Sequence, residues 1–149
     1  MKKEELISIL DNLYREAKQA DKEGEIPVAA CLRLKDGKTF YSHNEVERRN
    51  DPYAHAEFLV LRKAMEDTES RYLKDSTLIV TLEPCLVCMG AIIKAGVSSL
   101  YYVLSDEKAG ALSHYHTFID DRLMVHEVKD GRFTELMDTF FRRLRNQED

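Results

Sequence analysis

Residues 76–104, STLIVTLEPCLVCMGAIIKAGVSSLYYVL, set the architecture. Ser76 to Leu82 is a short apolar run that reads as a buried strand. Pro84 suits the first turn of a helix, where its missing N–H has no partner to lose. That helix is predicted to run to Ala95, with Gly96 as its terminator, before Ser99 to Leu104 forms another strand.

Working outward, Leu6, Leu10, Leu13, Tyr14 and Ala17 fall on one stripe of a helix over residues 4–20, which ends near Gly24. Ile26 to Leu34 reads as a strand, Asp36-Gly37 as a two-residue hairpin turn and Thr39 to Ser42 as the return strand. His43 to Asp51 is a polar loop. Pro52 precedes a helix from about Ala54 to Met65. Beyond Leu104, residues 105–121 are irregular, Leu123 to Val128 is a fifth strand and Phe133 to Arg145 a closing helix after an Asp130-Gly131 turn. This order predicts a mixed five-stranded sheet with helices on both faces. The first pair is expected to be antiparallel, and strands joined by helices parallel. No repeat or Pro/Gly/Ser-rich linker divides the chain, so residues 1–149 are expected to be one domain.

A chain of 149 residues buries roughly 70% of its unfolded surface and needs no cross-link to fold. With 44% hydrophobic and 33% charged residues, the composition is that of a globular protein. No apolar stretch reaches a membrane span, and residues 1–5 do not begin a signal peptide. A net charge of −5 argues against indiscriminate binding of DNA, RNA or acidic lipid; DNA and membrane are not expected partners. Three cysteines, an odd number, argue against a disulfide framework and for a reducing, cytoplasmic setting.

Four residues carry chemistry: His55 and Glu57 in Tyr53-Ala54-His55-Ala56-Glu57, and Cys85 and Cys88 in Pro84-Cys85-Leu86-Val87-Cys88. Cysteines three apart share a helix face, and the nearby helix start favours thiolate. Two thiolates and an imidazole are three ligands for tetrahedral Zn²⁺, the layout of a catalytic site that keeps its fourth position for water. Glu57 is the candidate proton carrier. Two other readings stay open on the residues alone. Cys85 and Cys88 could be a redox pair, or half of a structural zinc site completed by Cys31 and His55.

His-Ala-Glu followed some thirty residues later by Pro-Cys-x-x-Cys resembles the zinc-dependent cytidine/deoxycytidylate deaminase superfamily. Within it, Glu25-Ile26-Pro27-Val28, Asn44, Asp51-Pro52-x-Ala54-His55-Ala56-Glu57, Thr81-Leu82-Glu83-Pro84-Cys85, Gly90-Ala91-Ile92, Asp106-x-Lys108-x-Gly110 and Phe140-Phe141-Arg142-x-x-Arg145 resemble the tRNA-specific adenosine deaminases. The resemblance implies a three-layer α/β/α sandwich, a homodimer, zinc held by His55, Cys85 and Cys88, and Glu57 as proton shuttle. It also implies that Asn44 bonds the target base and that Asp106 lies near the flanking nucleotide. The expected reaction is hydrolytic deamination, foremost of adenosine to inosine at a tRNA wobble position. Deamination of a free base or nucleoside, guanine or cytosine, is the alternative. Ala29, Val103, Leu112, Ser113, His114, Leu123 and Met124 depart from the tRNA-enzyme pattern, and by the resemblance these changes fall on pocket-rim and RNA-contacting regions, not on the zinc site. Two features bear on RNA. His114, Tyr115, His116 and Phe118 offer a stacking rim, or an ordinary surface loop. Arg48, Arg49, Lys94, Lys108, Arg142, Arg143 and Arg145 offer a basic track, or solvated charges beside Glu45, Glu47 and Asp138.

Overall fold

The computed structural model describes residues 1–114, 121 and 123–148. In chain order the elements are α1 (Lys3–Lys22), β1 (Ala29–Arg33), β2 (Thr39–His43), α2 (Val46–Arg49), α3 (Ala56–Thr68), β3 (Thr77–Leu82), α4 (Leu86–Ala95), β4 (Ser99–Leu104), α5 (Ala111–His114), β5 (Met124–Glu127) and α6 (Gly131–Glu148). The strands form one five-stranded sheet in the order β2-β1-β3-β4-β5. β1 is antiparallel to both neighbours, and β3-β4 and β4-β5 are parallel. Strands β2 and β3, joined through α3, therefore point the same way with β1 inserted between them.

Side chains alternate across the pleat, and the burial follows. Ala30, Leu32, Leu78, Val80 and Leu100 face one way and pack with Ala56, Val60, Met89 and Ile92 of α3 and α4. Ala29, Cys31, Ile79 and Val103 face the other way and pack with Leu10, Leu13 and Ala17 of α1 and Phe133 of α6. This is the expected three-layer α/β/α arrangement with a mixed sheet. Helix α1 buries Ile9, Leu10, Leu13, Ala17 and Ala20 at three- and four-residue spacing. Gly96 closes α4 at φ 83°, a left-handed conformation that suits glycine.

The structure corrects several local expectations. The first hairpin has a three-residue loop, not two: Leu34 N–H donates to Lys38 O (2.8 Å) and Gly37 N–H to Leu34 O (2.9 Å), with Gly37 at φ 95°. The polar loop contains α2. Its start is held by the buried Glu25, whose two oxygens accept from the N–H groups of Glu47 (2.9 Å) and Arg48 (2.8 Å). Helix α3 begins at Ala56, with His55 as its N-cap. Helix α4 begins at Leu86, with Cys85 as its N-cap, so Pro84 stands just outside the helix. Asp130 opens α6 by accepting from Arg132 N–H (3.1 Å), which draws Gly131 into the first turn.

An ion cluster ties α1 to the end of β2. His43 places Nδ1 2.7 Å from Glu16 Oε2 and Nε2 2.7 Å from Glu23 Oε2. Arg48 lies 3.4 Å from Glu23, and Lys63 also acts on Glu16. The hydrogen bond that His43 gives to Glu16, then the one to Glu23 and the charges of both carboxylates, hold the His43 pKa above its ordinary 6.5. The same bond holds Glu16 below its ordinary 4.5. The His43 contribution is complete below 6.5 and is lost as pH rises through the elevated folded value. The Glu16 contribution is present above 4.5 and is lost as pH falls through the lowered folded value. His43→Gln is therefore expected to destabilise the protein most between pH 4.5 and 6.5, with a shrinking difference at higher pH. Urea unfolding of both proteins across pH checks this; a difference that grows above neutrality contradicts it.

Candidate active site

Two helix starts meet at one end of the sheet. His55 (φ −77°, ψ 153°) and Cys85 (φ −72°, ψ 171°) are the N-caps of α3 and α4, and neither side chain caps its own helix. Both side chains are thus free to turn toward each other, with the positive ends of two helices behind them. Cys88, one turn into α4, completes the group. His55 Nδ1 lies 3.8 Å from Cys85 Sγ and 3.5 Å from Cys88 Sγ. The three atoms all lie within 4.8 Å of one another.

These separations suit a metal. With Zn–N and Zn–S bonds of ordinary length, the edges of a tetrahedral site are about 3.6–3.8 Å. The donor set of one imidazole and two sulfurs is that of a zinc site. Cys31 does not join it. Its side chain belongs to the opposite layer, under α1, where burial pushes the thiol up to about 12. The structural-zinc reading completed by Cys31 therefore fails on geometry. The redox-pair reading leaves His55 Nδ1 without a role, although it stands as close to both sulfurs as a ligand would.

The two sulfurs divide one proton. Hydrogen bonding from Cys88, and then His55, brings Cys85 down to about 4. The bond to Cys85, with burial and the Glu57 charge, drives Cys88 upward. Cys85 also raises His55. Glu57 sits in the first turn of α3, only 4% exposed, against the Cys88 thiol. Burial pushes its carboxyl up to about 7. A carboxyl so placed can take or give a proton near neutrality.

Asn44 stands beside this cluster. Its Oδ1 accepts from Ala56 N–H (2.8 Å), between His55 and Glu57, which leaves the Nδ2 donors as the groups it can offer a ligand. Asp106 belongs to the segment that pairs with Cys85 through Gly110, whose N–H donates to Asp106 O (2.8 Å). Its Oδ1 accepts from the N–H groups of Lys108 (3.2 Å) and Ala109 (3.1 Å), shaping its own turn.

The structure adds a residue that sequence reasoning quoted only as part of a motif. Glu83 is 3% exposed and accepts from Asp106 N–H (3.0 Å), Ser113 N–H (2.8 Å) and Ser113 Oγ–H (2.9 Å). Its placement in an apolar strand end, just before Pro84-Cys85, was the available signal, because an unpaired buried carboxylate is costly. Gly110 is required here for space: a Cβ would lie 2.1 Å from Glu83 Oε2 and 2.5 Å from Asp106 O. Gly110→Ala is expected to destabilise the fold by about 3 kcal/mol, measured by urea unfolding; a loss below about 0.5 kcal/mol contradicts this packing.

The basic track is partly consumed by ion pairs. Arg48 pairs with Glu23 and Glu45, Arg49 with Glu45 and Arg143 with Asp21. For these three arginines the acidic-neighbour reading holds. Tyr115, His116 and Phe118 of the expected stacking rim lie outside the described residues. His114 contacts the Glu107 carbonyl.

Against known families, the MafB19-like deaminase model matches residues 5–145. The chain belongs to this deaminase family. It is similar to the tRNA-specific adenosine deaminase of Aquifex aeolicus, 36% identical over 138 residues, covering 89% of this chain and 91% of that one. The Haemophilus influenzae tRNA-specific adenosine deaminase is 37% identical over 140 residues, covering 89% of this chain and 80% of that one. A solved structure from studies of A-to-I editing by tRNA deaminases at the wobble position is 33% identical, with a TM-score of 0.77 over 83% of this chain and 99% of that one. The guanine deaminase of Bacillus subtilis is 28% identical, with a TM-score of 0.62 over 81% of this chain and 73% of that one. The cytidine-deaminase-like sandwich anticipated from the motifs is thus the fold of this deaminase. Among the described residues, no helix is long and apolar enough to cross a membrane.

Proposed function

We propose that residues 1–149 form one zinc-dependent deaminase domain that converts adenosine to inosine at the wobble position of tRNA. The convergence of His55, Cys85 and Cys88 beside the buried Glu57 carries the chemistry. The tRNA-specific relatives above 30% identity support the substrate. His55 through Nδ1 and the two thiolates would hold Zn²⁺, which when bound would supply the Lewis acidity that makes water a nucleophile near neutral pH. Glu57 takes a proton from the attacking water and delivers it to the ring nitrogen beside the amine-bearing carbon. It then moves a second proton to the departing amine. The purine amine and water become a ring carbonyl and ammonia. Asn44 holds the base through Nδ2, and Asp106 shapes the wall near the flanking nucleotide. The target nucleotide is splayed out of its loop to reach this chemistry.

The enzyme works as a homodimer in the cytoplasm. An apolar groove between α3 and α4, lined by Phe58, Leu61, Met65, Tyr72, Ala91 and Ala95, supports the dimer. Sedimentation at micromolar concentration checks it, and a monomer there refutes it. The second reading, deamination of free guanine, is favoured by the Bacillus subtilis neighbour. Ammonia release from tRNA, guanine, cytosine and adenosine separates the two readings, with inosine located in tRNA by sequencing. Ammonia from a small base and none from tRNA overturns the tRNA assignment.

A further inference from the structure

Glu83 presents an unusual combination. It is buried, it lies two residues before Cys85, and the described hydrogen-bond partners of its carboxylate come from the segment 106–113. Residues 105–110 follow β4 outside the named strands and helices; the N–H groups of Lys108, Ala109 and Gly110 all bond to Asp106, and Asp106 N–H in turn bonds to Glu83, so the turn hangs on that carboxylate. A carboxylate is the one side chain with two acceptor oxygens and no donor. Oε1 receives Asp106 N–H and Ser113 Oγ–H, while Oε2 receives Ser113 N–H. The same segment is tied to the turn that bears the first sulfur. Ala111 N–H donates to Pro84 O (2.8 Å), and Gly110 forms an antiparallel bridge with Cys85. Glu83 N–H in turn donates to Leu104 O (2.7 Å), where the segment begins.

We propose that Glu83 is a positioning residue that fixes the 106–113 segment against Cys85 and so sets the substrate-facing wall beside that ligand. This rests on the deaminase reading above. Among the described residues, the carboxylate's hydrogen bonds go to Asp106 and Ser113 and none to His55, Cys85 or Cys88. It acts through Asp106 and Ser113, whose backbone it holds at both ends of the segment. An amide in its place keeps the volume but turns an N–H₂ group onto a backbone N–H. That segment then loosens while the sheet below it stays intact.

Glu83→Gln is the test, with kinetics on the substrate the wild type deaminates, zinc content and amide hydrogen exchange. The expected result is a KM raised about tenfold or more with kcat within about threefold, since a loosened wall loses binding that ground and transition state share. Zinc stays stoichiometric, and the amides of Asp106 and Ser113 exchange faster while those of Ile79 and Val80 keep their protection. Faster exchange with KM unchanged within about twofold reduces Glu83 to a structural role and overturns the proposal. Unchanged exchange overturns the hydrogen-bond geometry itself. Should Glu83→Gln not fold, Ser113→Ala removes only the hydroxyl bond and is expected to raise KM about threefold; an unchanged KM there also overturns the proposal. A wild type inert on every base and tRNA refutes the deaminase reading, and the exchange measurement still reports whether Glu83 holds the segment.

Discussion

Glu57→Gln is expected to lower kcat by about 10²–10⁴-fold, the usual span for a positioned proton carrier, while zinc content and unfolding midpoint stay close to wild type. The amide fills the same buried volume at the start of α3 and keeps an acceptor oxygen. It cannot take a proton from water or return one to the ring and the amine. Relief from burying an ionisable group makes a modest gain in stability the expected direction. Single-turnover kinetics beside elemental analysis for zinc provide the check. Activity within about threefold of wild type removes Glu57 from the proton path. Loss of zinc together with activity shows instead that Glu57 supports the metal site.

Cys88→Ser is expected to lose zinc and activity together. A serine hydroxyl at neutral pH is a poor substitute for thiolate, and two remaining donors are too few for a stable tetrahedral site. The affinity drop exceeds the about 10–100-fold typical of outer-shell changes. Because the metal binds the folded chain preferentially, the variant also loses the ligand-linked part of its stability. Zinc quantified after gel filtration, with a thermal scan, measures both. Cys31→Ser is the control, since Cys31 lies in the opposite layer and is expected to leave zinc bound. Stoichiometric zinc in Cys88→Ser means that the ligand set is wrong.

The main elements were legible because their signals are local. The three- and four-residue spacing of Leu6, Leu10, Leu13 and Ala17 demands a helix, and the apolar run before Pro84 demands a strand. Gly96 marks a helix end because its positive φ suits a residue without Cβ. Helix α2 was not legible: its four residues have little intrinsic stability. Glu25, more than twenty residues earlier, supplies acceptors for its first N–H groups. The hairpin loop is one residue longer than Asp36-Gly37 predicts, because that pair serves equally in two- and three-residue connections. The arginine track failed in part for a related reason. Ion pairs such as Arg143 with Asp21 join distant parts of the chain.

The donor types were set by the chain alone: one imidazole, two sulfurs three residues apart and a carboxyl two residues beyond the histidine. Only the folded arrangement brings His55 to Cys85 across thirty positions, and only it leaves Cys31 out. The physical reason is that α3 and α4 pack on the same face of the sheet with their starts at one end, whereas the pleat turns Cys31 to the other. Local patterning reports which residues prefer which backbone. Which of them meet depends on β1 inserting between β2 and β3, a pairing set by burial on both faces at once.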